Sequence, residues 1–525
     1  MAHTGGRSHT VGRAHTVGMV SVPLGRIGGR RLAGAMRQRH DDRYPESRAV
    51  GRPEWEASIG MGWSKSCRDA VGFLALVAVG MGLLYLRDPH SLLVPTLYTE
   101  DGVWMAKLFN RGFWHTLIHA KGDETPYFVS LNILLLQAAK SLNAACYGDS
   151  IAHLPHFVSG LSMAFYAVLA AAPVWLLRPF LAPAARGLLW GLVILMPLGE
   201  SSFEVLGRIS NIGFGMLFLC FCLLAWRRSA DRSRPWRIVA ADMGVFLCAT
   251  TNPLCFPIVA ADYALRGRGL WRGGVPLRTI LSRNGSARSA AGLAVALVAA
   301  ACGMGLLEPR PNPFLKDTIR GSELFEAVLA RPLLFPFVFP FYSGLSDVTA
   351  VAGLAVLAGV AWWLTAPASS DRRLVAAAGG VGLYAAVATV VMRPGLTRVL
   401  DGYSTTMLDR YYYGSSLFMT AAACVAVSAG LRCRTAGRRG VAAICGILII
   451  AVYAGGIAML VETGRSRWHD PPVHDFASAV AAAAAEPIDA PLVRVQLHPR
   501  AWHARFPVAA VRATAIAVAA DALRR

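Results

Sequence analysis

Two neighbouring acids, Glu100 and Asp101, follow the first long apolar run of the chain and precede a segment rich in Trp, Met, Leu and Phe. A carboxylate held at a membrane surface can accept the proton of an attacking hydroxyl group as a general base. Two adjacent carboxylates can also hold a divalent cation such as Mg²⁺ or Mn²⁺. The structural alternative is a helix cap, because Thr99 or Asp101 can cap the helix that follows. The sequence leaves these interpretations open.

Arginines are the expected partners of such acids when the substrate carries phosphate, because guanidinium groups bind phosphate oxygens and stabilise developing negative charge. Two of them have a specific structural alternative. Arg208 stands four residues after Glu204, the spacing of a helical ion pair, and Arg410 can pair with Asp409 at the membrane interface. The arginines predicted to lie on the same side of the membrane as the acids are Arg208, Arg320, Arg393, Arg398 and Arg410.

Composition indicates the scaffold that must position these residues. Of 525 residues, 55% are hydrophobic and 16% are charged, and the mean hydropathy is +0.45, whereas soluble domains carry about a quarter charged residues. The formal charge of +21 lies mainly in short loops, as the positive-inside rule expects of cytoplasmic loops. We therefore predict an all-α polytopic membrane protein with no nucleic-acid partner. Most cysteines lie within apolar runs, which argues against a disulfide framework or a zinc site.

Apolar runs recur at close to the length that crosses a bilayer, about 17–25 residues. A cytoplasmic N-terminus places the arginine-rich loops inside and the acid pair outside. The stretch 238–265 can also be read as one helix followed by a re-entrant hairpin. We predict about eleven spans, near 69–86, 152–177, 187–200, 211–226, 238–251, 252–265, 290–306, 349–365, 374–392, 412–430 and 441–460.

The chain divides into three predicted parts. Residues 1–66 form a basic disordered tail, unless Met61 is the true start of the protein. Residues 67–460 form the polytopic domain, with 307–348 as an outer loop. Residues 461–525 form a small extracytoplasmic module with a helix near 478–485, a strand near 491–497 and a terminal helix.

Three segments carry a resemblance to a known family. "YTEDGVWMAKLFNRGFWHTLI" (98–118) resembles the first extracytoplasmic loop of bacterial GT-C-type glycosyltransferases, which are polytopic enzymes that use polyprenyl-phosphate sugars. "FEVLGRISNIGF" (203–214) resembles a loop ending in Gly-x-x-x-Asn that opens the fourth span, and "DRYYYGSSLFM" (409–419) resembles the start of a late span. The chain departs from the family in "TPYFVSLN" (125–132), which lacks an arginine that relatives often carry after the acids.

The resemblance implies a function and a set of roles. A sugar would pass from a polyprenyl-phosphate donor to an envelope polysaccharide, lipopolysaccharide or protein at the outer face of the bacterial inner membrane, with membrane lipids around the spans. Asp101 or Glu100 would be the base, and Mg or Mn between them is an alternative. Asn211 and Tyr411 would line the substrate pocket. The donor phosphate would contact Arg410, with Arg208, Arg398 and Arg320 as further cations.

Two other classes of function remain open. A transporter or flippase of a lipid-linked saccharide would explain Asp242 and Asp262 within the stretch 238–265, because transporters place ionisable groups inside the membrane. A non-catalytic membrane scaffold would explain the spans but not the acids and arginines on one face. His115 and His119 stand one helical turn apart but lack a strong third metal ligand nearby.

Overall fold

In the computed structural model, helices make up most of the described part of the chain. A bundle of helices is followed by a C-terminal module with a two-stranded antiparallel sheet. The structure describes residues 65–120, 127–198, 205–229, 235–272, 285–305, 321, 323–367, 369–400, 402–403, 409–467, 475–486, 490–498 and 502–524.

The helices follow the apolar runs of the sequence. The first ten are α1 (Lys65–Arg87), α2 (His90–Leu93), α3 (Thr99–His119), α4 (Ser130–Tyr147), α5 (Leu154–Leu176), α6 (Pro183–Ile194), α7 (Gly213–Ser229), α8 (Pro235–Ala249), α9 (Cys255–Arg272) and α10 (Gly285–Gly305). Then come α11 (Phe335–Val338), α12 (Asp347–Leu364), α13 (Ser370–Met392), α14 (Leu396–Val399), α15 (Asp409–Leu431), α16 (Ala436–Arg467), α17 (Phe476–Ala485), the strands β1 (Leu492–Gln496) and β2 (His503–Pro507), and α18 (Val508–Arg524).

The chain is a multi-pass membrane protein by the length and apolar character of its helices. Within the described residues, seven helices are long and apolar enough to cross a bilayer. Every one of the eleven predicted spans overlaps a helix, but only six of the eleven belong to those seven, so the count of eleven is not confirmed. The one helix of the seven that was not predicted as a span is Glu326–Gly344. It lies in the region 307–348, which the sequence predicted as an outer loop.

The segment Glu326–Gly344 bends back on itself. The Tyr342 hydroxyl donates a hydrogen bond to Glu326 at 3.0 Å, and the Tyr403 amide donates to the other carboxylate oxygen, also at 3.0 Å. A straight helix would separate residues 326 and 342 by about 24 Å. Because the two ends meet, this segment enters and leaves the bundle on one face.

Its bend has a cause in the sequence. Prolines recur every fourth residue in "RPLLFPFVFP" (331–340), and each removes the backbone donor that an α-helix needs. The segment accordingly begins as a π-helix (Glu326–Leu334) and ends as a 3₁₀ helix (Phe339–Gly344). The fully buried Arg331 guanidinium packs over the rings of Phe335 and Tyr342, at 4.2 and 4.7 Å from their centres.

The bundle has a basic face, defined here by the turns that join α12 to α13 and α15 to α16. Arg432 donates to the Asp371 carboxylate at 3.0 Å and to the Phe180 carbonyl at 2.9 Å. Arg372 donates to the Trp362 and Thr365 carbonyls at 2.6 and 2.5 Å. These arginines satisfy carbonyl groups that helix ends leave without partners. The other end of the bundle, where α3 begins, is called the α3 face below.

The C-terminal module docks on the start of α3. The Thr99 amide donates to the His498 carbonyl at 2.9 Å, and the His498 amide donates to the Leu97 carbonyl at 3.1 Å. A Cβ atom at Gly102 would lie 2.5 Å from the Leu497 side chain, so a larger residue at this position would require Leu497 to shift. The predicted helix near 478–485, strand near 491–497 and terminal helix are present, but β2 was not predicted.

Candidate functional site

Asp101 is the best-enclosed acid of the predicted site. Its side chain has no exposed surface. One carboxylate oxygen accepts a hydrogen bond from the Ser210 amide at 2.6 Å, and the other accepts from the Ile209 amide at 3.1 Å. The cap of α3 is Tyr98, without a side-chain cap bond. Asp101 therefore holds the loop 205–212 and does not cap its own helix.

That loop is fixed from three sides. The Asn132 amide group of α4 donates to the carbonyls of Ile209 at 2.6 Å and Ser210 at 3.1 Å. From α5, the Ser159 and Ser162 hydroxyls donate to the carbonyls of residues 207 and 208, at 3.3 and 3.0 Å. The sequence did not predict this role of Asn132. The sequence signal that could have indicated this role is the position of Asn132 on the same helix face as buried apolar residues such as Leu136.

Burial changes the acidity of Asp101. The pKa of its carboxyl group is raised from 3.8 to about 7, chiefly by loss of hydration and to a smaller extent by the charge of Glu100. The Arg208 guanidinium and the two amide donors act in the opposite direction. Removal from water is the dominant cause, as expected for an enclosed carboxylate. A carboxyl group with a pKa near neutrality can exchange a proton under physiological conditions.

Polar groups with unused hydrogen-bonding capacity surround this carboxyl. Asn132 Oδ1, Ser210 Oγ and Tyr166 Oη have no hydrogen-bond partner among the described residues. Tyr166 lies within electrostatic range of Asp101. Buried polar atoms normally find partners, so this neighbourhood can accommodate water or hydroxyl groups of a bound molecule.

Glu100 and Arg208 stand on either side of Asp101. Glu100 is half-buried and accepts a hydrogen bond from the Thr99 hydroxyl. Arg208 is buried; its guanidinium donates to the Thr96 carbonyl at 2.7 Å and lies 4.8 Å from the centre of the Tyr98 ring. The predicted ion pair of Arg208 with Glu204 lies outside the described residues. Arg208 thus binds the segment before α3.

A second group of residues forms at the start of α15. Arg410 donates to the Tyr411 hydroxyl at 2.8 Å, and Arg393, from the end of α13, donates to the same oxygen at 2.7 Å. Each guanidinium carbon lies 4.8 Å from the centre of the Tyr411 ring. The two donor nitrogens therefore lie no more than 5.5 Å apart, the sum of the two bonds. Two guanidinium groups this close can both donate charge-assisted hydrogen bonds to the oxygens of one phosphate group.

The two groups are linked through the start of α7. The Tyr411 ring meets the Phe214 ring edge-on, with centres 5.6 Å apart. Phe214 follows Ser210, which binds Asp101, by four residues, and Asn211 supplies the carbonyl that accepts from the Phe214 amide at 3.2 Å. A Cβ atom at Gly414 would lie 2.8 Å from the Phe214 carbonyl oxygen, so glycine permits α15 to approach α7 this closely.

The remaining predicted residues are not brought into either group. Arg320 lies outside the described residues, and so does the side chain of Arg398, whose backbone belongs to the short helix α14. The cavity of about 430 Å³ described below is lined by the opposite side of α3 and contains neither the acid pair nor Arg410.

The acid pair lacks the further protein ligands of a Mg²⁺ or Mn²⁺ site. Each oxygen of Asp101 already accepts one backbone amide hydrogen, which leaves one lone pair on each oxygen. Within the described part of the chain, no three His, Cys, Asp or Glu residues are grouped as metal ligands. No step of the chemistry below uses a metal.

Comparison with known protein families, with curated proteins and with solved structures gives no match. The arrangement of the site is therefore the basis for assigning a function.

Proposed function

We propose that the protein transfers a sugar from a polyprenyl-phosphate-linked donor to a cell-envelope acceptor at the outer face of the bacterial inner membrane. The acceptor is a polysaccharide, lipopolysaccharide or protein. In this proposal the α3 face is periplasmic, the N-terminus is cytoplasmic and the C-terminal module is periplasmic. The observation that carries the proposal is the convergence of Arg393 and Arg410 on the Tyr411 hydroxyl.

The arginine pair suits a departing phosphate. When a sugar leaves a polyprenyl phosphate, negative charge grows on the phosphate oxygens, and fixed guanidinium groups stabilise it. The Tyr411 oxygen accepts from both arginines, so its own hydrogen points elsewhere and can donate to a phosphate oxygen. These three groups come from two helices that pack along their length, α13 and α15, which makes the arrangement rigid.

The acids have separate tasks in this proposal. Glu100 is the more accessible of the two and accepts the proton of the attacking acceptor hydroxyl. Asp101 is a positioning residue: it fixes the loop 205–212 and, through it, the start of α7 against Tyr411. Each Asp101 oxygen accepts one amide hydrogen and keeps a second lone pair, which can orient a hydroxyl group of the acceptor.

The two acids on which the transporter alternative rests lie in ion pairs at the end of α7. Asp242 and Asp262 are paired with two arginines in the last turn of α7. Arg227 donates to both oxygens of Asp242, at 2.5 and 3.0 Å, and Arg228 donates to Asp262. Both acids are thereby accounted for as partners of a helix end. The scaffold alternative does not account for two arginines held against one phenol.

The experiment begins with deletion of the gene and mass spectrometry of the surface glycans. We expect one missing hexose, pentose or amino sugar, and restoration by the wild-type gene. Complementation with Arg410→Ala or Arg393→Ala should reduce transfer by about 10²–10³-fold, as expected for loss of one charge-stabilising donor. Glu100→Gln should abolish transfer without loss of protein from the membrane.

The matched control is Arg512→Ala, because Arg512 is exposed on α18, outside both groups. It should restore the glycan fully. Unchanged glycans in the deletion strain, or full restoration by both arginine variants of the site, would refute the proposal.

A further inference from the structure

A cavity of about 430 Å³ lies between α3 and the β-hairpin of the C-terminal module. This volume is in the range of small-molecule sites. Its lining is unusual in charge, because no acidic residue is among the described residues that line it. The side chains in the lining that carry or can gain a positive charge are Lys107, Arg111, His115, His119, His503 and Arg505.

The fold assembles this cluster by breaking α3. Gly112 has a φ angle of 76°, in the left-handed region that favours glycine, and it divides the helix into two parts. Lys107, in the first part, donates to the Ala120 carbonyl at the end of the second at 3.0 Å. The two parts of α3 form two walls of the cavity, and the β-hairpin forms a third. The Asn110 side chain of α3 donates to the Arg505 carbonyl of the hairpin at 2.7 Å.

Hydrogen bonds hold the basic side chains in place around the cavity. The Arg111 guanidinium donates to His115 Nε2 at 3.4 Å, and the rings of His115 and His119 have centres 4.6 Å apart. On the hairpin, the Arg494 guanidinium donates to His503 Nδ1 at 3.1 Å. The positive charges of Lys107, Arg111 and Arg505 thus lie in a lining that has no acid among its described residues, where they can bind an anion.

The neighbouring surface is apolar and faces outward. Trp114 is 74% exposed and Ile118 is 45% exposed. They are one helical turn apart on the second part of α3, beside the face that carries His115 and His119. An exposed tryptophan next to cations is typical of a helix at the membrane–water interface. A ligand of this cavity can therefore contact basic side chains and an exposed apolar surface at the same time.

We propose that this cavity binds the phosphate group of a membrane lipid, with the lipid chain lying along Trp114 and Ile118. The lipid is either an anionic phospholipid or a polyprenyl phosphate, which present the same chemistry. The site is distinct from the Arg393–Arg410 pair. It does not depend on the proposed glycosyl transfer, because lipid binding is measured without a sugar.

The test is native mass spectrometry of the full-length protein in a neutral detergent, titrated with phosphatidylglycerol, undecaprenyl phosphate or the zwitterionic phosphatidylcholine. We expect one of the two anionic lipids to bind more tightly than phosphatidylcholine. The double variant Arg111→Ala/Arg505→Ala should weaken that binding at least about tenfold, because two charged donors to phosphate are lost.

Arg512→Ala is the control and should bind like the wild type. The two arginines of the double variant are exposed, so its thermal midpoint should match that of the control. His119→Gln provides a second variant that removes one imidazole ring from the lining and keeps a polar side chain. The lipid that responds identifies the source of the phosphate. Equal binding of both anionic lipids by wild type and double variant, or an equal loss in Arg512→Ala, overturns the proposal.

Discussion

Replacement of Asp101 by asparagine should remove one cause by which rising pH lowers the stability of the protein. Burial is the main cause that raises the pKa of Asp101 from 3.8 to about 7, which corresponds to about 4 kcal/mol. The folded protein binds this proton more tightly than the unfolded chain does. Stability from this group is therefore fully present below about pH 4 and is lost as the pH rises to about 7.

Asparagine removes the titration but costs a hydrogen bond. Its single acceptor oxygen can serve the Ser210 amide or the Ile209 amide, and its NH₂ group faces the other donor. An amide left without a partner costs about 1–3 kcal/mol. The variant should thus be less stable than the wild type at acidic pH and more stable at pH 8, with the curves crossing between about pH 4.5 and 6.

The assay is the thermal unfolding midpoint from tryptophan fluorescence in neutral detergent, measured from pH 4 to pH 8. Arg512→Ala is the control, since that exposed side chain lies outside both groups and Asp101 remains to titrate; it should keep the slope of the wild type. A wild-type midpoint that rises with pH between 5 and 7, or an unchanged slope in Asp101→Asn, would contradict the reasoning.

Three further predictions follow from the helix contacts. Gly414→Val should separate α15 from α7, because even a Cβ atom would lie 2.8 Å from a backbone oxygen; we expect a lower midpoint and loss of sugar transfer, and an unchanged midpoint would contradict the close approach. Asp242→Ala should destabilise by about 3–5 kcal/mol, because it leaves the Arg227 charge buried without its partner, measured as a loss of folded protein on heating. Cysteines at Gly321 and Ser346 should both react with an impermeant maleimide from the same side of the membrane, and reaction from opposite sides would exclude the bent segment.

The helices could be predicted from the sequence because an apolar run that crosses a bilayer has no water to hydrogen-bond its backbone. A helix pairs these backbone groups within the run itself, so few other conformations are possible. The bent segment Glu326–Gly344 could not be predicted, since its prolines and aromatic residues read as an outer loop. A run of prolines at a spacing of four marks each place where the helical bond is lost. It does not reveal that Tyr342 returns to Glu326, which depends on contacts between residues far apart in the bend.

The candidate site was predicted in part. Asp101 and Arg410 were identified from charge on one face of an apolar chain. The donors that hold Asp101 are backbone amides of the loop 205–212, and an amide carries no signature in the sequence. Likewise, the pairing of Arg393 with Arg410 requires the end of α13 to meet the start of α15, which small residues such as Gly382 allow by close packing.

The geometry of α3 separates the cationic cavity from the Asp101 side of the proposed transfer site. At 100° per residue, Lys107 and Arg111 lie about 240° and 280° around the helix from Asp101, so the cationic cavity and the acid stand on different sides. A lipid phosphate in the cavity therefore cannot reach the Asp101 loop without passing around the helix, and Gly102 packed against Leu497 closes one way round. Changes on one side should act independently of changes on the other, because sites without shared partners give additive effects. The triple variant Arg111→Ala/Arg505→Ala/Arg410→Ala should then show the loss of lipid binding of the double variant and the loss of sugar transfer of Arg410→Ala. If the loss of either activity differs greatly from the sum of the losses in the separate variants, one phosphate passes from the cavity to the arginine pair.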